Sequence, residues 1–159
     1  MNNKLNESSE MVMVKPVEPF IKPAKAPMTS PAIRIRTITP FGHMHLTIVI
    51  DLTTERELEI FAQIGKAGEM VTSELEGLCR LSSLYLRAGG SLSDIIKQLV
   101  GIGSMVSLRD DFKGEREKTY SIPDSLGKSL AAYADFKKQH GAKAIVLGDA
   151  QNFDPIDVR

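Results

Sequence analysis

Residues 33–51, IRIRTITPFGHMHLTIVID, decide how the rest of the chain must fold. Ile33 and Ile35 alternate with Arg34 and Arg36, a period of two that belongs to a strand with one buried and one wet face. Pro40-Phe41-Gly42 makes a turn, after which Met44, Leu46, Ile48 and Ile50 alternate with His45, Thr47 and Val49. The two runs therefore pair as an antiparallel hairpin. Beyond the polar turn Asp51-Leu52-Thr53-Thr54-Glu55, Leu58, Ile60, Ala62 and Ile64 alternate with Glu57, Glu59 and Gln63. That predicts a third antiparallel strand and a meander with one wet face. Glu55, Glu57 and Glu59 read as a solvated face rather than as paired acid–base carboxylates.

After Gly65 the period becomes helical. Met70, Val71, Leu75, Leu78, Cys79, Leu81, Leu84 and Tyr85 recur at spacings of three and four, predicting one buried stripe. Gly89-Gly90 stops this helix, and Ser91 caps a second one through Ile95, Ile96, Leu99 and Val100, with Asp94 at its third position. Gly101-Ile102-Gly103 ends it, and residues 109–118 read as a loop or weak hairpin. A third helix opens near Pro123-Asp124 and runs to about His140, proline suiting the first turn and aspartate the positive end of the dipole. Ala144-Ile145-Val146-Leu147 is compatible with a short edge strand. The expected fold is α+β: a three-to-four-stranded antiparallel sheet packed against two or three helices.

Five of the eight prolines, at positions 16, 19, 23, 27 and 31, fall in one stretch and exclude helix and sheet there. The expected organisation is a flexible, disordered proline-rich arm over 1–31, a domain over 32–141 and a tail over 142–159. Met11-Val12-Met13-Val14 and Phe20-Ile21 give the arm apolar residues able to dock on a neighbouring subunit, and a homo-oligomer is expected. Lys plus Arg equals Asp plus Glu at 20 each, so no net field draws the protein to nucleic acid or anionic lipid. A single cysteine excludes an intrachain disulfide and a thiolate-rich zinc site. The polar start MNNKLNESSE and the lack of a long apolar run point to a cytoplasmic protein without a membrane segment.

These residues resemble the TSCPD domain, found at the carboxyl end of adenosylcobalamin-dependent ribonucleotide reductases and in free-standing phage and bacterial proteins. The likeness lies in Thr39-Pro40-Phe41-Gly42-His43-Met44-His45-Leu46-Thr47, Ile64-Gly65-Lys66-Ala67-Gly68, the run from Leu75 to Leu84, Ile95 to Ile102, and the naming motif as Tyr120-Ser121-Ile122-Pro123-Asp124. It covers about Thr37 to Leu130. Relatives look cysteine-rich at four places that here hold Phe41, Met70, Ser104 and Ile122, which implies no structural metal and soft ligands replaced by packing. The reductase reaction needs a large barrel, a radical-bearing cysteine and a reducing pair. A chain of 159 residues with one cysteine does not supply these, so the resemblance implies at most an accessory or a descendant of one domain.

Two constellations can carry binding. Gly65-Lys66-Ala67-Gly68 is a glycine-rich turn entering a helix, and helix N-termini attract anions. It is no P-loop, and the glycines also read as a tight corner alone. His43 and His45 share one side of a strand, as do Arg34 and Arg36; the four can line an anion or nucleotide surface, or stand as solvated residues. The histidines have no evident third metal ligand. Cys79, on the helical stripe, reads as an inert core thiol. The expectation is a non-catalytic binding module without cofactor, with a protein partner or small nucleotide as ligand. A nucleotide-sequestering protein is the alternative, and a single-stranded nucleic-acid binder ranks behind it because stacking residues are few.

Overall fold

The structure, a computed structural model, describes residues 21–39, 41–65, 68–103 and 121–148. Three strands, β1 (Ala32–Thr39), β2 (Gly42–Asp51) and β3 (Arg56–Ile64), form an antiparallel meander in the order β1-β2-β3. Ile33, Ile35, Met44, Leu46, Ile48, Ile50, Ile60 and Ile64 fill one face and are buried. The first turn is held by Thr39, whose Oγ1 accepts from the Phe41 amide (3.1 Å) and donates to the Gly42 carbonyl (2.8 Å). Gly42 sits at φ 117°, a conformation that excludes a Cβ. Asp51 closes the second turn by accepting from the Thr53 amide (2.8 Å) and the Thr54 hydroxyl (2.7 Å). Those two donors hold its carboxyl below the usual carboxylate range.

A bulge alters the third strand. Val49 pairs with Glu59 but Ile50 pairs with Glu57, so Leu58 is an extra residue and the alternation changes phase there. Glu57 consequently lies on the covered face, 9% exposed, and does not share a solvated face with its acidic neighbours. Its Oε1 accepts from the Tyr133 hydroxyl (3.0 Å) and from Lys137 Nζ (2.7 Å). Burial is the first cause, and the Glu57 carboxylate the second, of a Tyr133 hydroxyl pushed far above its ordinary range.

Helix α1 (Glu69–Arg87) lies along the free edge of β3. Its buried residues are Leu75, Cys79, Ser82, Ser83 and Leu86. Met70, Leu81, Leu84 and Tyr85, expected on a single buried stripe, are exposed. The reason lies at the sheet edge, where bare backbone groups need polar partners. Ser83 Oγ accepts from the Ile60 amide (2.9 Å) and donates to the Cys79 carbonyl (2.7 Å), so the helix turns its serines, not its largest apolar residues, toward β3.

Helix α2 (Leu92–Leu99) starts as its sequence requires: Ser91 Oγ accepts from the Asp94 amide (3.1 Å) and donates to the Asp94 carboxylate (2.7 Å). Leu92, Ile95 and Leu99 are buried. Helix α3 (Ile122–His140) crosses α2 closely enough that a Cβ at Gly127 would stand 2.9 Å from Leu99 Cβ and from the Val100 amide nitrogen. Leu126, Leu130 and Tyr133 carry α3 into the core.

The apolar run 144–147 is not an edge strand. Ala142–Leu147 forms a short helix, α4, bracketed by Gly141 at φ 80° and Gly148 at φ 86°. Ala142 is buried, and Ile145 and Val146 pack against the core at the helical spacings of three and four. The sheet therefore has three strands, with four helices among the described residues.

Residues 21–31 of the proline-rich stretch contain neither helix nor strand, but they are fastened to the domain. The Ala24 amide donates to the Arg87 carbonyl (3.0 Å), and the Ile50 amide donates to the Pro31 carbonyl (3.0 Å). The Met11–Val14 cluster, Phe20, the 109–118 loop and the tail over 151–159 lie outside the described residues.

Candidate anion-binding face

Antiparallel register puts the basic residues of β1 beside the histidines of β2. Arg34 pairs with Thr47, Arg36 with His45, and Ile38 with His43. Each arginine leans one diagonal step along β2: Arg34 Nη2 is 3.0 Å from His45 Nδ1, and Arg36 Nη2 is 3.1 Å from His43 Nε2. A guanidinium can only donate, so in each pair the bonded ring nitrogen is the acceptor. The imidazoles thereby orient both arginines and leave most of their N–H groups for a ligand. Among the described residues no carboxylate forms an ion pair with Arg34 or Arg36.

The same face continues onto β3. Thr47 pairs with Phe61 and His45 with Gln63, so one row across the sheet reads Arg34, Thr47, Phe61 and the next reads Arg36, His45, Gln63. Arg34, Arg36, His43, Phe61 and Gln63 are exposed, Phe61 at 53%. Glu59 stands on this side too and is engaged by Arg87 at 3.6 Å. Phe61 is the residue that the alternation of β3 should have singled out: an aromatic standing in the polar phase between Glu59 and Gln63.

The glycine corner lies at one end of this face. Gly65 follows the Met44–Ile64 pair directly, which brings it to the His43 end of β2. Gly68 is the N-cap of α1, with no side-chain cap, and its carbonyl accepts from the Thr72 amide (3.1 Å). Neither glycine has a positive φ, and a Cβ at either would meet no atom within 4 Å, so the corner geometry does not itself require glycine. Lys66 lies outside the described residues.

Other groups separate from this face. Cys79 is buried against β3, and desolvation pushes its thiol up to about 11, the behaviour of a packed rather than a reactive cysteine. His43 and His45 each commit a ring nitrogen to an arginine. Among the described residues no three His, Cys, Asp or Glu side chains could hold a metal ion. On the far side of α1, a cavity of about 500 Å³ is lined by Leu78, Leu81, Tyr85, Ile95 and Leu99.

Ser121 and Asp124 act at the junction of α2 and α3. Ser121 caps α3 by accepting from the Asp124 amide (3.2 Å), and its hydroxyl donates to the Ile102 carbonyl. Asp124, fully buried, accepts from the Gly101 amide (2.8 Å) and pairs with Lys128 (3.1 Å). A serine and an aspartate three residues apart thus fasten the exit of one helix to the entrance of the next. The sequence profile of the TSCPD domain matches residues 22–134, a span that includes this junction.

The chain belongs to the TSCPD domain family. No curated protein and no solved structure matches it. The family match begins at Lys22, ahead of β1 and close to where Ala24 is tied to α1. In this TSCPD domain Ser121 and Asp124 of the naming motif form a structural clasp, Ser121 engaged with the Ile102 carbonyl and the Asp124 amide, and Asp124 with the Gly101 amide and Lys128. Of the four places where the resemblance led us to expect cysteine replaced by packing, Ile122 is buried and Phe41 packs against the core, while Met70 is exposed and so is not a packing replacement. Ser104 lies outside the described residues. No helix among the described residues is long and apolar enough to cross a membrane.

Proposed function

We propose that this TSCPD domain is a binding module without chemistry of its own, and that its ligand surface is the open sheet face, taking a phosphate-bearing anion. The observation that carries this reading is the pair of Arg–His contacts at 3.0 and 3.1 Å, which hold side by side on an exposed surface two cations that no carboxylate among the described residues pairs with. Oriented guanidiniums match phosphate geometry bidentately, and orienting them beforehand lowers the entropy lost on binding. The kinship with a ribonucleotide-reductase appendage supports an accessory or regulatory role beside nucleotide metabolism; a sequestering role uses the same surface. The test is calorimetric titration of the full chain with inorganic pyrophosphate. Binding that is lost in the Arg34→Ala/Arg36→Ala variant supports the reading, and unchanged affinity in that variant overturns it.

A second reading, attachment to a protein partner or to further copies of the chain, is favoured by the cavity between α1 and α2 and by Leu81 and Tyr85, 67% and 44% exposed beside it. Contiguous apolar surface of this kind marks interaction sites. Light scattering on the wild type and on Leu81→Glu tests it: a multimer dissolved by the substitution supports self-association, and a monomer in both removes that form of it.

A further inference from the structure

The open face is polarised from one edge to the other. On β1 it offers two arginines, on β2 Thr47 and His45, and on β3 one exposed aromatic, Phe61, with the amide of Gln63 beside it. Adjacent strands lie about 4.8 Å apart, so the Arg34 and Phe61 backbones are separated by about 10 Å across Thr47. That is the span between the base and the phosphate of one nucleotide. Phe61 and Gln63 are two residues apart on the same side of β3, so a flat ring stacked on Phe61 has a side-chain amide at its edge, able to donate and to accept.

We propose that the open face holds a single nucleoside phosphate lying across the strands, its base stacked on Phe61 at the β3 side, its sugar over Thr47 and His45, and its phosphates on Arg34 and Arg36. This rests on the reading of the face as an anion site and adds to it the class of ligand and its orientation. A nucleotide rather than a polynucleotide is the occupant, for two reasons. Phe61 is the sole Phe, Tyr or Trp on this face among the described residues, and His43 and His45 are each held by an arginine, whereas strand binders stack successive bases on several rings. The chain also carries equal numbers of acidic and basic residues, with no basic track to follow a backbone. Glu59 borders the base position, and its contact with Arg87 keeps its charge partly offset.

The experiment is calorimetric titration of the full chain with ADP, UDP, adenosine, inorganic pyrophosphate and a ten-nucleotide single-stranded DNA, on wild type, Phe61→Ala, Phe61→Tyr and Arg34→Ala. Phe61 is exposed, so its variants keep the fold, which circular dichroism verifies. The expected result is that the diphosphates bind more tightly than pyrophosphate, that Phe61→Ala loses about tenfold for the diphosphates and nothing for pyrophosphate, and that Phe61→Tyr restores the loss. Pyrophosphate bound as tightly as ADP, with Phe61→Ala without effect, overturns the base platform while leaving the anion site standing. No binding of any phosphate overturns both. DNA bound far more tightly than ADP replaces the single nucleotide with a strand.

Discussion

The two faces of the three-stranded sheet are written by the same alternating residues and meet opposite ends. On one side Met44, Leu46, Ile48 and Ile50 have no exposed surface and share one core with residues of α1, α2 and α3. On the other, in the intervening positions, Arg34, Arg36, His43, Phe61 and Gln63 stand in solvent. The covered face tolerates polar groups only where each is matched: Glu57 by Tyr133 and Lys137, Ser83 by the edge of β3, and no buried side-chain polar atom among the described residues lacks a partner. On the open face no carboxylate among the described residues pairs with Arg34 or Arg36. Stability resides on one side and the proposed ligand surface lies on the other, so substitutions should separate the two.

The largest effect is expected from Ile48→Ala, which opens a cavity at the centre of the covered face; equilibrium denaturation should show a loss of about 3–4 kcal/mol. Asp124→Ala should come close to it, at about 3 kcal/mol by the same measurement, because it takes the acceptor from the Gly101 amide and removes the ion pair with Lys128 at the junction of α2 and α3. Glu57→Ala removes the one carboxylate that the bulge turns inward and leaves Tyr133 and Lys137 without it. A loss of about 2 kcal/mol is expected, with Glu57→Gln retaining part of it.

A smaller, pH-dependent difference separates wild type from Thr54→Ala. The folded Asp51 carboxyl is lowered first by the Thr54 hydroxyl, so its contribution is present above the unfolded carboxylate value and is lost as pH falls through the folded one. The two proteins should therefore differ in thermal midpoint at pH 7 and converge as pH falls through the lowered value of the folded Asp51 carboxyl. Smallest of all, Arg34→Ala/Arg36→Ala should change stability by less than about 0.5 kcal/mol, because it touches only exposed side chains. A large loss there would break the division between the faces.

The strands of the hairpin were legible because alternation over residues 33–50 admits one register, any slip turning Ile35 and Leu46 to solvent. The bulge was hidden because one inserted residue, Leu58, leaves the local composition unchanged while reversing which side Glu57 occupies. The face of α1 was misjudged for a related reason. Leu81, Leu84 and Tyr85 are the more hydrophobic residues, but Ser83 answers the unpaired Ile60 amide, and no helical period carries that need. The run 144–147 is short enough to suit a strand or a helix, and its flanking glycines with core contact on one side chose the helix. At the candidate site the residue types were legible, four basic or imidazole side chains in strand spacing. Their pairing and the presence of Phe61 beside them depended on the register of three strands.

Local patterning, then, was enough to establish the meander, the cap at Ser91, a third helix opening near Pro123, and the family. Those features depend on contacts between residues near in sequence. The inward turn of Glu57, the serine edge of α1, the clasp at Asp124 and the row from Arg34 to Phe61 came only with the packed molecule. Each joins groups from different elements, whose meeting is decided by register, by a bulge and by the need of buried backbone groups for partners.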